Sequence, residues 1–218
     1  MTMKQVEPAI PATLAARLLA RSMATRMIVG ICGAPGAGKS TLAALLAAEL
    51  NAVEPGTAVV VPMDGFHLAA SAIAVDDRAT RRGAPDTFDP GGYAALLRRL
   101  REDVEPVVYA PEYRREIEDP VAGAIPVPSQ CRIVITEGNY LLHPEPAWRR
   151  VRACLDEVWF LEAPSEELRV SRLIERHEYF GKTHEHALTH VLETDERNAL
   201  LVASHREGAD LILRRDSW

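Results

Sequence analysis

Lysine is almost missing from this chain: of 25 basic residues only Lys4, Lys39 and Lys182 are lysines, and the rest are arginines. That scarcity makes each lysine's position informative, and none of the three follows an asparagine, so the Asn-Lys-x-Asp string that reads guanine in GTPases is not present. Cysteine is equally sparse. Cys32, Cys131 and Cys154 are odd in number and far apart, which suits a reducing cytoplasm better than a disulfide framework. No run of about 18 apolar residues occurs, so no membrane span is expected. The first residues lack an apolar core followed by a small-residue cleavage site, so no secretion signal is expected and a cytoplasmic location is. A formal net charge of −6 offers no broad basic face for nucleic acid. An acidic chain that binds an anion must therefore build a local positive site.

The 218 residues, 47% apolar and 26% charged, fit one soluble domain spanning 1–218. Apolar spacing predicts a helix over about 12–25, a buried strand over Met27–Cys32 and an alanine- and leucine-rich helix over 39–50. A second strand is expected over 58–63, interrupted by Pro62 and followed by Asp64. Residues 91–102 read as helix, 107–110 as strand, and 111–130 as irregular, with five prolines or glycines among them. Further strands are expected at 132–136, 157–162 and 210–214, and a long charged helical region at 165–207 broken near Gly181. Strands alternating with helices predict an α/β fold of three layers, a central mostly parallel sheet with helices on both faces.

The most specific string is Gly33-Ala34-Pro35-Gly36-Ala37-Gly38-Lys39-Ser40-Thr41, which fits G-x-x-x-x-G-K-[ST] and lies between a predicted strand and a predicted helix. Glycines let backbone N–H groups turn inward around phosphate oxygens, and the helix N-terminus adds its positive end. Lys39 reaches the outer phosphates, and the Ser40 hydroxyl is a ligand for Mg²⁺. Asp64 and Glu137 each follow a predicted strand, at the sheet edge where open α/β folds bind ligands. Two carboxylates beside a triphosphate suit one metal partner and one base for an acceptor hydroxyl. Which of them stands nearer the metal stays open at this point. The strand that Asp64 follows is expected to lie beside the P-loop strand.

Beyond the P-loop, the Asp64-Gly65-Phe66-His67 segment, the RRGAPDTFD loop (81–89), the PEY segment (111–113) and the TEGNYLL segment (136–142) recur in an order that resembles the phosphoribulokinase/uridine kinase/pantothenate kinase superfamily. The bacterial fructose-transport-kinase or nucleoside-kinase-like branch is the most similar, and the likeness runs from about residue 27 onward. It implies a three-layer P-loop NTPase fold with a helical lid at about 169–185, and ATP and Mg²⁺ as cofactors. It implies Asp64 as catalytic base, Glu137 as support for Mg²⁺, and Arg172 and Arg176, four apart on one helix face, as lid arginines that neutralise the transferring phosphoryl. Lys182 joins them in this scheme. Tyr113, His67, Arg81 and Arg82 would line the acceptor pocket with Asp64 and Glu137, although a hydrogen-bonding structural role is the simpler reading of His67 and His177. His184, His186 and His190 lack the glutamate and third ligand of a zinc motif and are not read as a metal site.

The chain departs from its relatives after Pro-x-Tyr, where Arg114 and Arg115 stand in place of the residues uridine and pantothenate kinases carry. An arginine there either holds an anionic acceptor or faces water. The resemblance implies transfer of the ATP γ-phosphoryl to an alcohol group of a sugar or sugar-like metabolite. The alternatives are a pantothenate or nucleoside kinase and, from another class, a P-loop regulatory protein that phosphorylates no metabolite. The expected partner is a small hydroxyl-bearing acceptor, with a homodimer as the assembly allowed for.

Overall fold

β2 (Met27–Cys32) is buried at every position, and its alternating side chains feed two separate cores. Met27, Val29 and Ile31 pack with Leu14 and Leu18 of α1 (Pro11–Arg21) and Leu42, Leu46 and Leu50 of α2 (Lys39–Val53). Ile28 and Cys32 face the other way, toward Tyr93, Leu97 and Leu100 of α4 (Pro90–Glu102) and Trp148 and Val151 of α5 (Pro146–Arg152). Burial on both faces is what the unbroken apolar run of a central parallel strand provides for. The computed structural model describes residues 6–21, 25–74 and 77–214. The last residues of the helix expected over 12–25 partly lie outside them.

The main sheet has six parallel strands in the order β1-β8-β7-β2-β6-β3: β1 (Val6–Pro8), β8 (Leu211–Arg214), β7 (Glu157–Glu162), β2, β6 (Ile133–Gly138) and β3 (Ala58–Val60). The strand beside the P-loop strand is β6, in register Ile31 to Glu137. β3, which leads to Asp64, pairs with β6 and lies one place further out. The expectation that Asp64 follows the neighbouring strand is thus corrected: that place belongs to β6, which carries Glu137 within its C-terminal end. β3 is also shorter than 58–63, because Pro62 cannot continue the ladder and Met63–Phe66 form a 3₁₀ turn instead.

Residues 111–130 are not irregular. β4 (Val107–Arg114) and β5 (Asp119–Pro128) form an antiparallel hairpin, with Pro120, Pro126 and Pro128 inside β5. In a two-stranded sheet each strand has an open edge, so a proline whose missing N–H faces outward costs no ladder bond. The hairpin packs against the Asp64 turn: a Cβ on Gly65 would sit 2.4 Å from the Pro111 carbonyl oxygen. The charged region after β7 divides into α6 (Glu166–Tyr179), α7 (His184–His190), one π turn (Val191–Asp195) and α8 (Glu196–Ala203). Gly181, with φ of 94°, ends the first of these as its sequence position suggested. A short four-residue helix, α3 (Ala70–Ile73), lies in the long loop before α4. No helix among the described residues is long and apolar enough to cross a membrane.

Candidate active site

The loop between β2 and α2 turns on two glycines in the left-handed region, Gly36 at φ 77° and Gly38 at φ 99°. A side chain at Gly36 would collide with the Arg169 carbonyl oxygen and Leu173 of α6, each 2.9 Å from the Cβ position. Gly38 also caps α2, and no side chain covers the helix's first turn. Its N–H groups and positive end are therefore directed at the loop's interior, the arrangement that suits a phosphate.

Lys39 is the first residue of α2 and is buried. Its Nζ donates to the Ala34 carbonyl at 3.0 Å and to Asn139 Oδ1 at 2.7 Å. Burial holds its pKa below the usual lysine value, with Glu137 pulling the other way. Ser40 Oγ donates to Glu137 Oε1 at 2.9 Å. Burial raises the Glu137 pKa, and the nearby Asp64 raises it further. Both shifts come from confining charged groups in one enclosed space, which a polyphosphate and a cation would relieve.

Asp64 sits in the 3₁₀ turn after β3. Its carbonyl receives His67 Nδ1 at 2.8 Å, and its carboxylate meets Arg115 Nη2 at 3.4 Å. The His67 ring lies against Phe88 and Tyr113, with centroids 4.0 and 4.6 Å away, and burial lowers its pKa. A cavity of about 600 Å³ joins these groups: Lys39, Ser40, Thr41 and Glu137 line it together with Asp64, His67, Arg82 and Tyr113. Arg172 and Arg176 of α6 line it as well. The Arg172 Nη1 atom is buried without a partner, and burial followed by the proximity of Arg115 lowers the Arg176 pKa.

Of the residues singled out in the sequence, the fold does not bring Arg81 to this cavity. It is tied to Asp86 at 2.9 Å and Asp77 at 3.5 Å on the surface. Arg114 is likewise turned outward, paired with Glu112 at 2.5 Å. Strand alternation explains this: Tyr113 points inward, so Arg114 points out, and Arg115 just past the strand end turns back in. In the P-loop, Gly33 packs on the Leu161 carbonyl and Ala37 is buried behind the turn, while Pro35, Gly36 and Gly38 face the cavity. All three cysteines are buried and unpaired, and burial near the P-loop pushes the Cys32 thiol up to about 11.

Sequence reasoning missed Asn139, Asp195 and Asn198, all of which line the cavity, and singled out Arg115 only jointly with Arg114. Asn139 had a signal, since it lies two residues beyond Glu137 and so points to the same side. Asp195 had none, because the π turn that carries it is not encoded by a recognisable pattern. Its carboxylate meets His177 Nε2 at 3.0 Å, and His177 packs edge-on against His190. The ligand atoms of these three residues lie within 4.8 Å of one another. His184 is elsewhere, exposed and bonded to Glu178 at 2.6 Å.

A glycine-rich turn joining a buried parallel strand to a helix, with an acid from the neighbouring strand against its serine, defines a P-loop nucleotide-binding fold. No family model matches the chain. A Schizosaccharomyces pombe protein named "Putative uridine kinase C227.14" is 33% identical over 197 residues, covering 87% of this chain and 83% of that protein. The "ATP-dependent kinase-like protein notR'" of Aspergillus versicolor is 39% identical over 154 residues, covering 66% of this chain and 88% of that protein. Among solved structures, a "putative fructose transport system kinase" from Silicibacter sp. TM1040 superposes with a TM-score of 0.83 at 38% identity, covering 93% of this chain and 98% of that one. The chain belongs to the phosphoribulokinase/uridine kinase/pantothenate kinase superfamily of P-loop kinases.

Proposed function

We propose that this protein transfers the γ-phosphoryl group of ATP to an alcohol group of a sugar or sugar-like metabolite. The observation that carries the reading is one cavity lined both by the P-loop groups Lys39 and Ser40 and by a second carboxylate, Asp64, in addition to Glu137. A nucleotide switch needs the first of these and has no use for the second. Names of the relatives support a kinase and leave the acceptor open.

The site fits a magnesium nucleotide. Ser40 and Glu137 present hard oxygen donors side by side, the set Mg²⁺ prefers, and Arg172 Nη1 is a buried donor in want of an acceptor. The ion would be held by Ser40 with Glu137, directly or through water, and would offset phosphate charge. Lys39 and the α2 N-terminus bind the outer phosphates. Arg172 and Arg176 counter the charge that builds on the transferring group, and Asp64 takes the proton of the acceptor hydroxyl. Walls from the hairpin and α6 exclude water, which limits wasteful hydrolysis.

The test is ADP release from ATP with and without acceptors, across sugars, nucleosides, pantothenate and sugar phosphates. An acceptor that raises the rate well above basal hydrolysis supports the reading. Basal turnover unchanged by every class would point to a binding protein instead.

A further inference from the structure

The wall facing the P-loop is built of guanidinium groups around one phenol. Arg82 lies 5.7 Å from the centroid of the Tyr113 ring and Arg115 lies 5.9 Å from it. Arg115 also sits 5.8 Å from the ring of Phe180, at the end of α6. Aromatic faces orient a cation but neutralise it far less than an anion does. Asp119 at 3.1 Å and the Glu118 carbonyl hold one end of Arg82, yet its Nε is buried without a partner. Arg115 has one ion pair among the described residues, the 3.4 Å contact to Asp64. Lys182 completes the wall.

Asp119 offsets Arg82, so directed donors rather than net charge make the argument. Arg115 spends one N–H on one Asp64 oxygen, so its other donors are open to a second anion while Asp64 faces an acceptor hydroxyl. In the kinase reading Lys39, Arg172 and Arg176 serve the nucleotide, which leaves Arg115 and Arg82 for an anion on the acceptor.

We infer that the acceptor carries an acid group, a carboxylate or a phosphate, held by Arg115 and Arg82 beside Tyr113. This rests on the kinase reading above and narrows it. Guanidinium forks match the planar or tetrahedral oxygens of those groups, whereas a neutral sugar or nucleoside offers them only single hydroxyls or carbonyls. Because Arg115 already reaches Asp64, the acid group and the reacting hydroxyl lie close together, on a short carbon chain. Sugar acids, short hydroxy acids and polyol phosphates meet that description.

Calorimetry decides it, with Mg²⁺ and a non-hydrolysable ATP analogue present. The probes are D-glycerate, D-gluconate, glycerol 3-phosphate and D-fructose 6-phosphate, against glycerol, D-glucitol and D-fructose as uncharged counterparts. At least one charged probe binds about 10–100-fold tighter than its counterpart, the span that charge-assisted hydrogen bonds supply. Whether the carboxylates or the phosphates lead identifies the acid group. Arg115→Gln removes the preference. Arg82→Lys, which keeps the charge and loses the fork, reduces it. The inference is overturned if no charged probe binds, if the uncharged counterparts bind as well, or if Arg115→Gln keeps the wild-type preference. Parallel ADP-release assays separate the two readings. Turnover of uncharged probes alone sustains the kinase and removes the acid group; tight binding of charged probes without turnover does the reverse.

Discussion

The Ser40 hydroxyl donates to Glu137 across 2.9 Å, linking the first turn of α2 to the end of β6. Lys39 makes the parallel link to Asn139, two residues further along, at 2.7 Å. Together these bonds fix the phosphate loop to the strand beside it. Lys39→Ala should nearly abolish activity and weaken ATP binding more than adenosine binding, since Lys39 is the cation of the loop itself. Titration of both proteins with both ligands checks this, and equal ATP affinity would contradict it. Glu137→Gln should keep the hydrogen bond to Ser40 in some form but raise the Mg²⁺ concentration needed for half-maximal rate.

Asp64→Asn should fold, bind Mg·ATP about as well as wild type, and lose about 10²–10⁴-fold in transfer rate, the usual contribution of a general base. Asparagine keeps the size of the side chain and the backbone contact with His67, so packing survives. If Asp64 instead served the metal, excess Mg²⁺ would restore the rate. Retention of more than about a tenth of the wild-type rate at saturating Mg²⁺ would remove the base role.

If Arg172 and Arg176 counter the charge of the transferring group, replacing either by Ala should lower kcat more than it raises the KM for ATP, because that charge is greatest in the transition state. Arg172 is the sharper case, with a buried Nη1 donor that has no hydrogen-bond partner among the described residues. A change confined to KM would make both of them ground-state binders.

Acid should destabilise the fold through His67. Burial lowers its folded pKa below the ordinary 6.5, so below that value the unfolded chain takes up the proton more readily than the folded one. Its stabilising contribution is therefore present above pH 6.5 and lost as pH falls below it. Between pH 7 and pH 5 the wild-type melting temperature should drop further than that of His67→Gln. Parallel curves for the two proteins would show that His67 is not responsible.

The parts of the site legible in the sequence were those fixed by local chemistry. A P-loop needs its glycines, lysine and serine in one short string, and β2 and β7 were bounded correctly because buried parallel strands are continuous apolar runs. What failed depended on pairing between distant segments. The prolines of β5 read as loop because nothing local reveals that its only partner is β4. The short β1 gains its strand character from lying beside β8, over 200 residues away in sequence. Arg81 and Arg82 are adjacent and looked equivalent, yet one found Asp86 on the surface and the other Asp119 at the cavity wall. Likewise Arg115, not Arg114, entered the site, because alternation from the inward Tyr113 sends Arg114 out toward Glu112 and brings Arg115 back in.

Arg169 is buried and joins three elements. Its guanidinium binds Glu166 on its own helix, Glu196 at the start of α8, and the Pro35 carbonyl of the P-loop. The first turns of α6 are thus pinned to the phosphate loop, where Gly36 leaves them no slack. Arg172 follows Arg169 by less than one turn and stands close to that anchor, whereas Arg176, Phe180 and Lys182 lie further along the chain from it. The two cavity arginines of α6 are thus unequally tied to the P-loop, Arg172 beside the anchor and Arg176 a turn beyond it.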